Sequence, residues 1–269
     1  MSQSIWKDGI GKGDGGTAPE AGAGGTFHMP EFGRLESDRK TEVLIVGGGL
    51  CGLLCAYFLK QAGVGCMVVE ADRICSGVSG NTTAKITSQH GLIYSQLIQV
   101  YGREKAGMYL QANEAALGEY RKLAAEIDCD FEEKDAYTYS LADRKTIEDE
   151  VRALQSLGFP AEFAEGADLS LPFQTRGAVR YRKQAQFHPL KFAAKIAEDL
   201  DVCEYTLVRD ISRNAAYTDR GTITADKILS ASHFPFLNRR GNYFLKLYQH
   251  RSYVTALQNA QDMDGMYAD

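Results

Sequence analysis

The first third of the folded chain has the hydrophobic pattern of a parallel α/β unit. Segment 42–46 predicts a strand, segment 51–61 a helix and segment 66–70 a second strand. Both strand segments are almost continuously apolar, as is typical of strands that are covered on both faces by helices. The pattern therefore predicts a doubly wound sheet that begins near Thr41.

The middle of the chain has a different pattern. Segment 92–127 carries apolar residues three and four positions apart, which predicts a long helix with one buried face. A second, mixed region of short strands follows, and the chain then returns to α/β character. The remaining predicted elements are strands at 130–133, 137–141, 178–181, 202–207 and 227–232, and helices at 145–157 and 191–200.

Composition narrows the functional classes. The 269 residues carry a net charge of −5 and no basic stripe, so we expect no nucleic-acid partner. The six cysteines, at 51, 55, 66, 75, 129 and 203, form no C-x-x-C pair, which predicts free thiols and no metal site. The chain has no apolar run of about twenty residues and no secretory signal pattern. We expect a cytoplasmic protein without a membrane span.

The turn after the first strand reads V-L-I-V-G-G-G-L-C-G and places Gly47, Gly49 and Gly52 in the G-x-G-x-x-G spacing. In this order the three glycines allow a tight turn, a close approach of a pyrophosphate, and close packing of helix on strand. Glu70 ends the second strand, where a carboxylate can accept hydrogen bonds from ribose hydroxyls. The combination predicts a site for the ADP part of a dinucleotide, and the acidic residue argues against NADP.

The stretch after Glu70 favours FAD over NAD. NAD-dependent domains usually continue with further βα units, whereas a polar loop, A-D-R-I-C-S-G-V-S-G-N-T-T-A-K, follows here. At this point the chain resembles FAD-dependent oxidoreductases of the D-amino-acid oxidase, glycine oxidase and sarcosine oxidase type. The motifs T-T-A-K-I-T-S-Q-H-G-L-I-Y at 82–94, Q-A-Q-F-H-P-L-K at 184–191 and R-S-Y-V at 251–254 are similar to a bacterial subgroup in which a Rieske domain follows the FAD domain.

The resemblance implies FAD as the cofactor and assigns its contacts. The resemblance places residues 79–85 near the pyrophosphate or the isoalloxazine, and it places Val208 near the adenine. The full implied set is Gly47, Gly49, Leu50, Cys51, Gly52, Glu70, Ala71, Ser79, Thr82, Thr83, Ala84, Lys85, Val208 and Ala231. Family members also continue beyond the position of Asp269, and no Rieske cysteine-histidine motif follows here. We therefore expect a C-terminally incomplete member.

The resulting fold class is α/β, with a Rossmann-like FAD/NAD(P)-binding domain and an interleaved α+β substrate domain. Segment 8–25 is so rich in Gly that ordering it would cost more entropy than burial could offset, which predicts a flexible leader. The expected divisions are the leader at 1–40, the FAD-binding domain at 41–128 and 188–240, the substrate-side region at 129–187, and the start of returning strands at 241–269.

In such a family the flavin accepts a hydride from a carbon that bears an amine or hydroxyl, and the protein chiefly orients the substrate. The candidates for catalytic or substrate contact are Lys85, His90, His188, Arg251 and Tyr253. Each also has a structural interpretation: a solvated lysine for Lys85, a turn cap for His90, or a helix start for His188 before Pro189. Arg251 could bind a substrate carboxylate through two parallel hydrogen bonds.

The predicted function is oxidation of an amine, amino acid or similar small metabolite, with an electron acceptor that the sequence does not define. Two alternatives stay open. One is a truncated or degenerate remnant that keeps the FAD fold without catalysis, and the other is an NAD-dependent dehydrogenase.

Overall fold

The structure is a computed structural model that describes residues 4–7, 27–234, 236–237, 242–257 and 262–269. The chain divides into two units. The first unit comprises Met1–Thr83 and Pro189–Ala256, and the second comprises Ala84–His188 and Leu257–Asp269.

The described residues form eleven strands and four α-helices. The strands are β1 (Arg39–Val46), β2 (Cys66–Val69), β3 (Lys85–Ile86), β4 (Glu132–Ser140), β5 (Glu162–Ala164), β6 (Gly177–Gln186), β7 (Val202–Cys203), β8 (Val208–Ile211), β9 (Ala215–Thr218), β10 (Thr222–Ser230) and β11 (Gly265–Ala268). The helices are α1 (Leu50–Gln61), α2 (Tyr94–Glu126), α3 (Arg144–Ser156) and α4 (Pro189–Ala197).

The first unit is built on a sheet of strand order β7-β2-β1-β10-β9-β8. Strands β7, β2, β1 and β10 run parallel, and β9 and β8 extend the sheet antiparallel. The central strand β1 buries Leu44, Ile45 and Val46, which explains its continuous apolar pattern. Helix α1 connects β1 to β2 and buries Leu53 and Ala56. The parallel core thus places the carboxyl ends of β1, β2 and β10 at one edge.

The second unit contains a sheet of strand order β11-β4-β6-β3, with β5 paired to β6. Its core includes Tyr94, Ile147, Leu154, Val179 and Tyr181, so side chains of α2 and α3 pack with alternate residues of β6. Helix α2 is interrupted at Gly102, which has a φ of +84°. These helices and the sheet form an α+β unit.

The predicted α/β fold class is confirmed, and several boundaries differ. The long helix belongs to the second unit, although the sequence analysis placed 41–128 in the first part of the FAD-binding domain. Predicted strand 202–207 ends at Cys203, because Glu204 and Thr206 bind backbone groups of other segments and the chain leaves the sheet. Strands β8 and β9 were not predicted.

The expected leader at 1–40 contains ordered contacts. Residues 4–7 include a short 3-10 helix, Leu35 is buried at 3% exposure, and β1 begins at Arg39. The Gly-rich segment at 8–25 lies outside the described residues. In the part of the chain that the structure describes, none of the helices combines the length and the apolar character needed to cross a membrane.

Candidate cofactor site

The turn after β1 brings the backbone of Gly47 against the end of β10. Gly47 has a φ of +114°, and a Cβ built on it would lie 2.6 Å from the carbonyl oxygen of Ala231. A Cβ on Gly52, in the first turn of α1, would lie 1.9 Å from the carbonyl oxygen of Gly47. Real Cβ atoms essentially never come within 3.0 Å of another heavy atom in this way. The packing of β1, turn and α1 therefore requires glycine at both positions.

The Glu70 carboxylate lies at the end of β2 and is held by two backbone groups. Its Oε2 accepts a hydrogen bond from Gly48 N at 2.7 Å, and its Oε1 accepts one from Asp72 N at 3.0 Å. A carboxylate offers about four acceptor positions, so both oxygens can accept further hydrogen bonds. The geometry leaves Glu70 able to serve as an acceptor for a ribose hydroxyl.

Residues 72–83, which we call the cofactor loop, fold across the N-terminus of α1. Ser79 Oγ accepts a hydrogen bond from Leu50 N at 3.0 Å, and Cys75 N donates to the Gly48 carbonyl at 3.0 Å. A Cβ on Gly80 would lie 2.3 Å from the Cys75 carbonyl oxygen, so the loop closes tightly on itself. The loop and the Gly-rich turn are therefore one structure rather than two adjacent motifs.

Cys75 is buried in this loop. Burial raises the pKa of the Cys75 thiol to about 12, and the nearby Glu70 carboxylate adds to the effect. Because the thiolate is the nucleophilic form, Cys75 is a poor nucleophile at neutral pH. The geometry gives no support to covalent attachment of a flavin at this thiol.

A buried carboxylate that the sequence analysis missed anchors the other side of the loop. Glu204, at 1% exposure, accepts hydrogen bonds from Ile74 N at 2.8 Å and from Phe32 N at 3.2 Å. The Arg73 guanidinium lies 3.9 Å from the same carboxylate. The only local signal for this role was an acidic residue inside an apolar segment, V-C-E-Y-T-L. Such a residue is rarely buried without partners.

These elements enclose a cleft of about 870 Å³ within the first unit. Of the residues implied for FAD, those that line the cleft are Gly47, Gly49, Cys51, Glu70, Ala71, Ser79, Val208 and Ala231. The lining does not include Leu50, Gly52, Thr82 or Thr83. Lining residues that the sequence analysis did not name include Arg73, Ser76, Gly77, Val78, Thr206, Leu207, Ser230, Ser232 and His233. Nothing local in the sequence marks Thr206, Leu207, Ser230, Ser232 or His233, because tertiary folding alone brings them to the cleft.

The cleft fits the ADP part of FAD. Its volume lies in the range of about 300–1,000 Å³ that cofactor and ligand sites occupy. The N-terminus of the twelve-residue helix α1 provides a positive dipole end, which favours a pyrophosphate. Gly47 and Gly49 present backbone without side chains at this point, while Val46, Val69 and Val208 form an apolar wall. The backbone donors suit the phosphates, the carboxylate suits the ribose, and the apolar wall suits the adenine.

The other residues implied for the flavin lie in the second unit. Ala84 is buried, and Lys85 begins β3, where its Nζ donates to the Tyr267 carbonyl at 3.3 Å. Partial burial lowers the pKa of Lys85 below its ordinary value. His90 Nδ1 lies 2.9 Å from Tyr109 Oη, and the proton position on this pair is set by the histidine tautomer.

The segments 84–90 and 184–188, which carry two of the resemblance motifs, form one substructure in the second unit. Strand β3 pairs antiparallel with β6, and the His188 backbone N–H donates to the Cys129 carbonyl at 2.7 Å. Gln184, which is fully buried, accepts a hydrogen bond from Ser88 N at 2.7 Å. The sequence analysis did not single out Gln184, since a buried amide leaves no local pattern.

The sequence analysis expected the start of returning strands at 241–269. Arg251 and Tyr253, however, do not lie in a strand. The described residues 242–257 contain one 3-10 helix, Tyr243–Leu245, and otherwise no regular structure. Both side chains are exposed, Tyr253 at 87%. Strand β11 is formed later and pairs parallel with β4. The pairing needs a partner strand that is distant in sequence, so the local pattern could not predict where the strand would begin.

Comparison with known proteins identifies related chains. The model of the family described as "FAD dependent oxidoreductase" matches residues 42–268. The chain is 32% identical over 264 residues to the "Putative Rieske 2Fe-2S iron-sulfur protein YhfW" of Bacillus subtilis (strain 168). The match covers 93% of this chain and 52% of that protein, so the chain spans about half the length of this relative.

Solved structures show the same fold at low sequence identity. L-amino acid deaminase from Proteus vulgaris matches with a TM-score of 0.58 at 14% identity, over 76% of this chain and 50% of that one. L-proline dehydrogenase from P. horikoshii matches with a TM-score of 0.55 at 18% identity, over 72% of this chain and 53% of that one. At these identities the likeness establishes the fold alone.

Proposed function

This chain belongs to the family of FAD-dependent oxidoreductases, and on that premise we propose that it oxidises an amine, an amino acid or a similar small metabolite with bound FAD. The family expected from the sequence motifs is thereby confirmed, as is FAD as its cofactor. The substrate, the electron acceptor and the roles of individual residues belong to the proposal.

The observation that carries the proposal is the convergence of three features on one cleft. The side-chain-free turn at Gly47, the carboxylate of Glu70 and the cofactor loop at Ser79 all border the same space at the N-terminus of α1. We propose that the helix end holds the pyrophosphate, that Glu70 accepts hydrogen bonds from the ribose, and that Val208 and Ala231 border the adenine. A turn that only packed strand on helix would not require Glu70 and Ser79 at the same opening.

Bound FAD would supply a hydride acceptor, the flavin N5. The work proposed for this chain is to bind and orient a substrate carbon that carries an amine or hydroxyl. Lys85, His90 and His188 in the second unit remain the proposed substrate-side residues. Arg251 and Tyr253 remain weaker proposals, because both are exposed and neither lies in the expected strand. Amino acids are the favoured substrate class, since both solved relatives are named for amino acid substrates.

Spectroscopy on the purified chain tests the proposal. We expect the protein to retain FAD and show flavin absorbance, and the absorbance to bleach anaerobically when one of a panel of D- or L-amino acids or amines is added. Colourless protein that FAD does not reconstitute would contradict the cofactor assignment. Flavin that is retained but reduced by no member of the panel would favour the non-catalytic alternative.

A thermal shift comparison separates FAD from NAD. A ligand present at one hundred times its Kd stabilises the folded state by about 2.7 kcal/mol. We expect FAD to raise the midpoint of unfolding and NAD at equal concentration to leave it unchanged. The reverse order would support the NAD-dependent alternative. The six free cysteines suit a reducing compartment, and we propose a cytoplasmic location on that ground.

A further inference from the structure

A short N-terminal segment, residues 4–6, lies against the outside of the cofactor loop. Trp6 Nε1 donates a hydrogen bond to the Thr82 carbonyl at 2.8 Å, and Ser4 Oγ donates one to the Gly80 carbonyl. Ser4 is buried at 9% exposure, and Trp6 is half-buried. We call residues 4–6 the strap. It joins the start of the sequence to a loop about 76 positions later.

The strap contacts the part of the loop that contains Gly80 and Thr82. Within the loop, Ser79 is tied to α1 through Leu50 N, whereas Gly80 and Thr82 offer carbonyl groups on the other side. Gly80 has no side chain to pack, and its position against the Cys75 carbonyl excludes one. The two strap hydrogen bonds each engage one of these carbonyl groups.

The strap is also internally braced. Trp6 N donates to Ser4 Oγ at 3.3 Å, and Lys7 N donates to the Ser4 carbonyl at 3.0 Å, which closes the 3-10 helix Ile5–Lys7. This helix contacts α4, and Gly80 approaches Leu190 of α4. The strap thus contacts both α4 and the loop, in a position to restrict the loop's movement.

We propose that Ser4 and Trp6 are positioning residues for FAD, which hold the cofactor loop closed over the cofactor. The inference rests on the proposed FAD site. Ser79 and Val78 line the cleft, while the neighbouring residues Gly80 and Thr82 are bound by the strap. Release of the strap would let the loop lift from the cleft, and the cofactor would leave faster although no residue that lines the cleft had changed.

The test is a double variant, Ser4→Ala with Trp6→Phe, in the full chain. Phenylalanine keeps an aromatic ring in place but has no N–H to donate, and alanine removes the serine hydroxyl. Loss of two ordinary hydrogen bonds predicts a rate of FAD dissociation about 10-fold faster than in the unaltered chain. Ile5→Ala is the matched control, because Ile5 lies in the same 3-10 helix and is exposed. We expect its dissociation rate to stay within about twofold.

Two further readouts separate loop positioning from general stability. Amide hydrogen exchange of the cofactor-free protein should speed up at 78–83 in the double variant and stay unchanged in β1 and β2. Trp6 is the only tryptophan of the chain, so its fluorescence in the unaltered protein reports directly on the strap. We expect that fluorescence to change when FAD binds.

The outcomes are distinct. Faster FAD dissociation and faster exchange at 78–83 in the double variant alone support the strap. Dissociation and exchange rates within twofold of the unaltered chain overturn it and leave the FAD site standing, as does an equal effect from Ile5→Ala. Failure of the unaltered chain to bind FAD overturns the proposed cofactor site, and this inference with it.

Discussion

Among the described residues, each unit buries one glutamate, and the two carboxylates bind backbone groups of different kinds of segment. In the first unit, Glu204 accepts hydrogen bonds from Ile74 N and from a residue of the segment before β1. In the second unit, Glu150, fully buried, accepts bonds from Tyr94 N at 2.7 Å and Ser95 N at 2.8 Å. The first carboxylate ties down a loop beside the cleft, and the second caps the start of α2 inside the core.

The difference shows how the two units divide their tasks. The N-cap residue of α2 makes no side-chain hydrogen bond, and Glu150 of α3 accepts hydrogen bonds from the first N–H groups of α2 instead. Glu150 therefore joins two helices of the second unit. Glu204 joins segments without regular structure, and its partner Ile74 belongs to the cofactor loop. The same residue type therefore binds helix backbone in the core of one unit and loop backbone beside the proposed cofactor cleft in the other. Mutations should separate the two effects.

The largest effect is expected from Gly52→Ala, in the Gly-rich turn of the first unit. The added Cβ would lie 1.9 Å from the Gly47 carbonyl oxygen, so α1 must move away from β1. We expect a loss of about 3 kcal/mol in the free energy of unfolding, together with weaker FAD binding. Urea unfolding and FAD titration measure the two quantities.

The matched control is Gly118→Ala in α2 of the second unit. Nothing lies within 4 Å of the position that its Cβ would take. Because alanine is the better helix former, this change should stabilise the protein by up to about 1 kcal/mol. Opposite signs for the same chemical change are the expected result. If Gly52→Ala unfolded at the same urea concentration as the unaltered chain, the close packing at the turn would be refuted.

The sequence predicted those parts of the site whose requirement is local. Gly47, Gly52 and Glu70 lie within a single strand-turn-helix-strand unit, so spacing along the chain is enough to recognise them. Glu204, Gln184 and the strap could not be found in this way. Their partners are far away in sequence, and a lone glutamate, glutamine or tryptophan carries no periodic or spacing signal.

The same reasoning explains the errors in the elements. Strands β8 and β9 are four residues each, and β9 is held by pairing with β10 and β8 by pairing with β9, so their apolar pattern alone was too short to predict them. The strand expected around Arg251 was inferred from a motif. The observed strand in that region, β11, depends instead on pairing with β4.

Replacement by glutamine compares the two buried glutamates, Glu204 and Glu150, directly. Glutamine has one acceptor oxygen and one amide nitrogen, so either change leaves one backbone N–H facing a donor. Each of Glu204→Gln and Glu150→Gln should therefore lower the free energy of unfolding by about 1–3 kcal/mol. Only Glu204→Gln should also weaken FAD binding, because only its partners include the cofactor loop.

Denaturant unfolding and FAD titration on both variants decide the comparison. Glu148→Gln, on the exposed face of α3, controls for the loss of charge. FAD affinity lowered equally by Glu150→Gln would mean that the division of tasks between the units is wrong. Unchanged affinity in Glu204→Gln would mean that this residue does not shape the cleft.

The smallest effect concerns pH and Cys75. Its pKa is raised from 9.0 to about 12 by burial, so the folded state keeps the proton over a range in which the unfolded state releases it. Below pH 9 the thiol is protonated in both states and makes no difference. Above pH 9 the unfolded state is favoured, so stability falls as pH rises. At pH 10 the expected loss from this group is about 1.4 kcal/mol.

Other groups titrate in the same range, so the test is a difference between variants. The decline in unfolding free energy between pH 8 and pH 10 should be smaller for Cys75→Ala than for the unaltered chain. Parallel pH profiles for the unaltered chain and Cys75→Ala would show that the cofactor loop admits solvent to this thiol. The cofactor loop would then be open to solvent, and the claim that Glu204 holds this loop as firmly as Glu150 holds the start of α2 would be wrong.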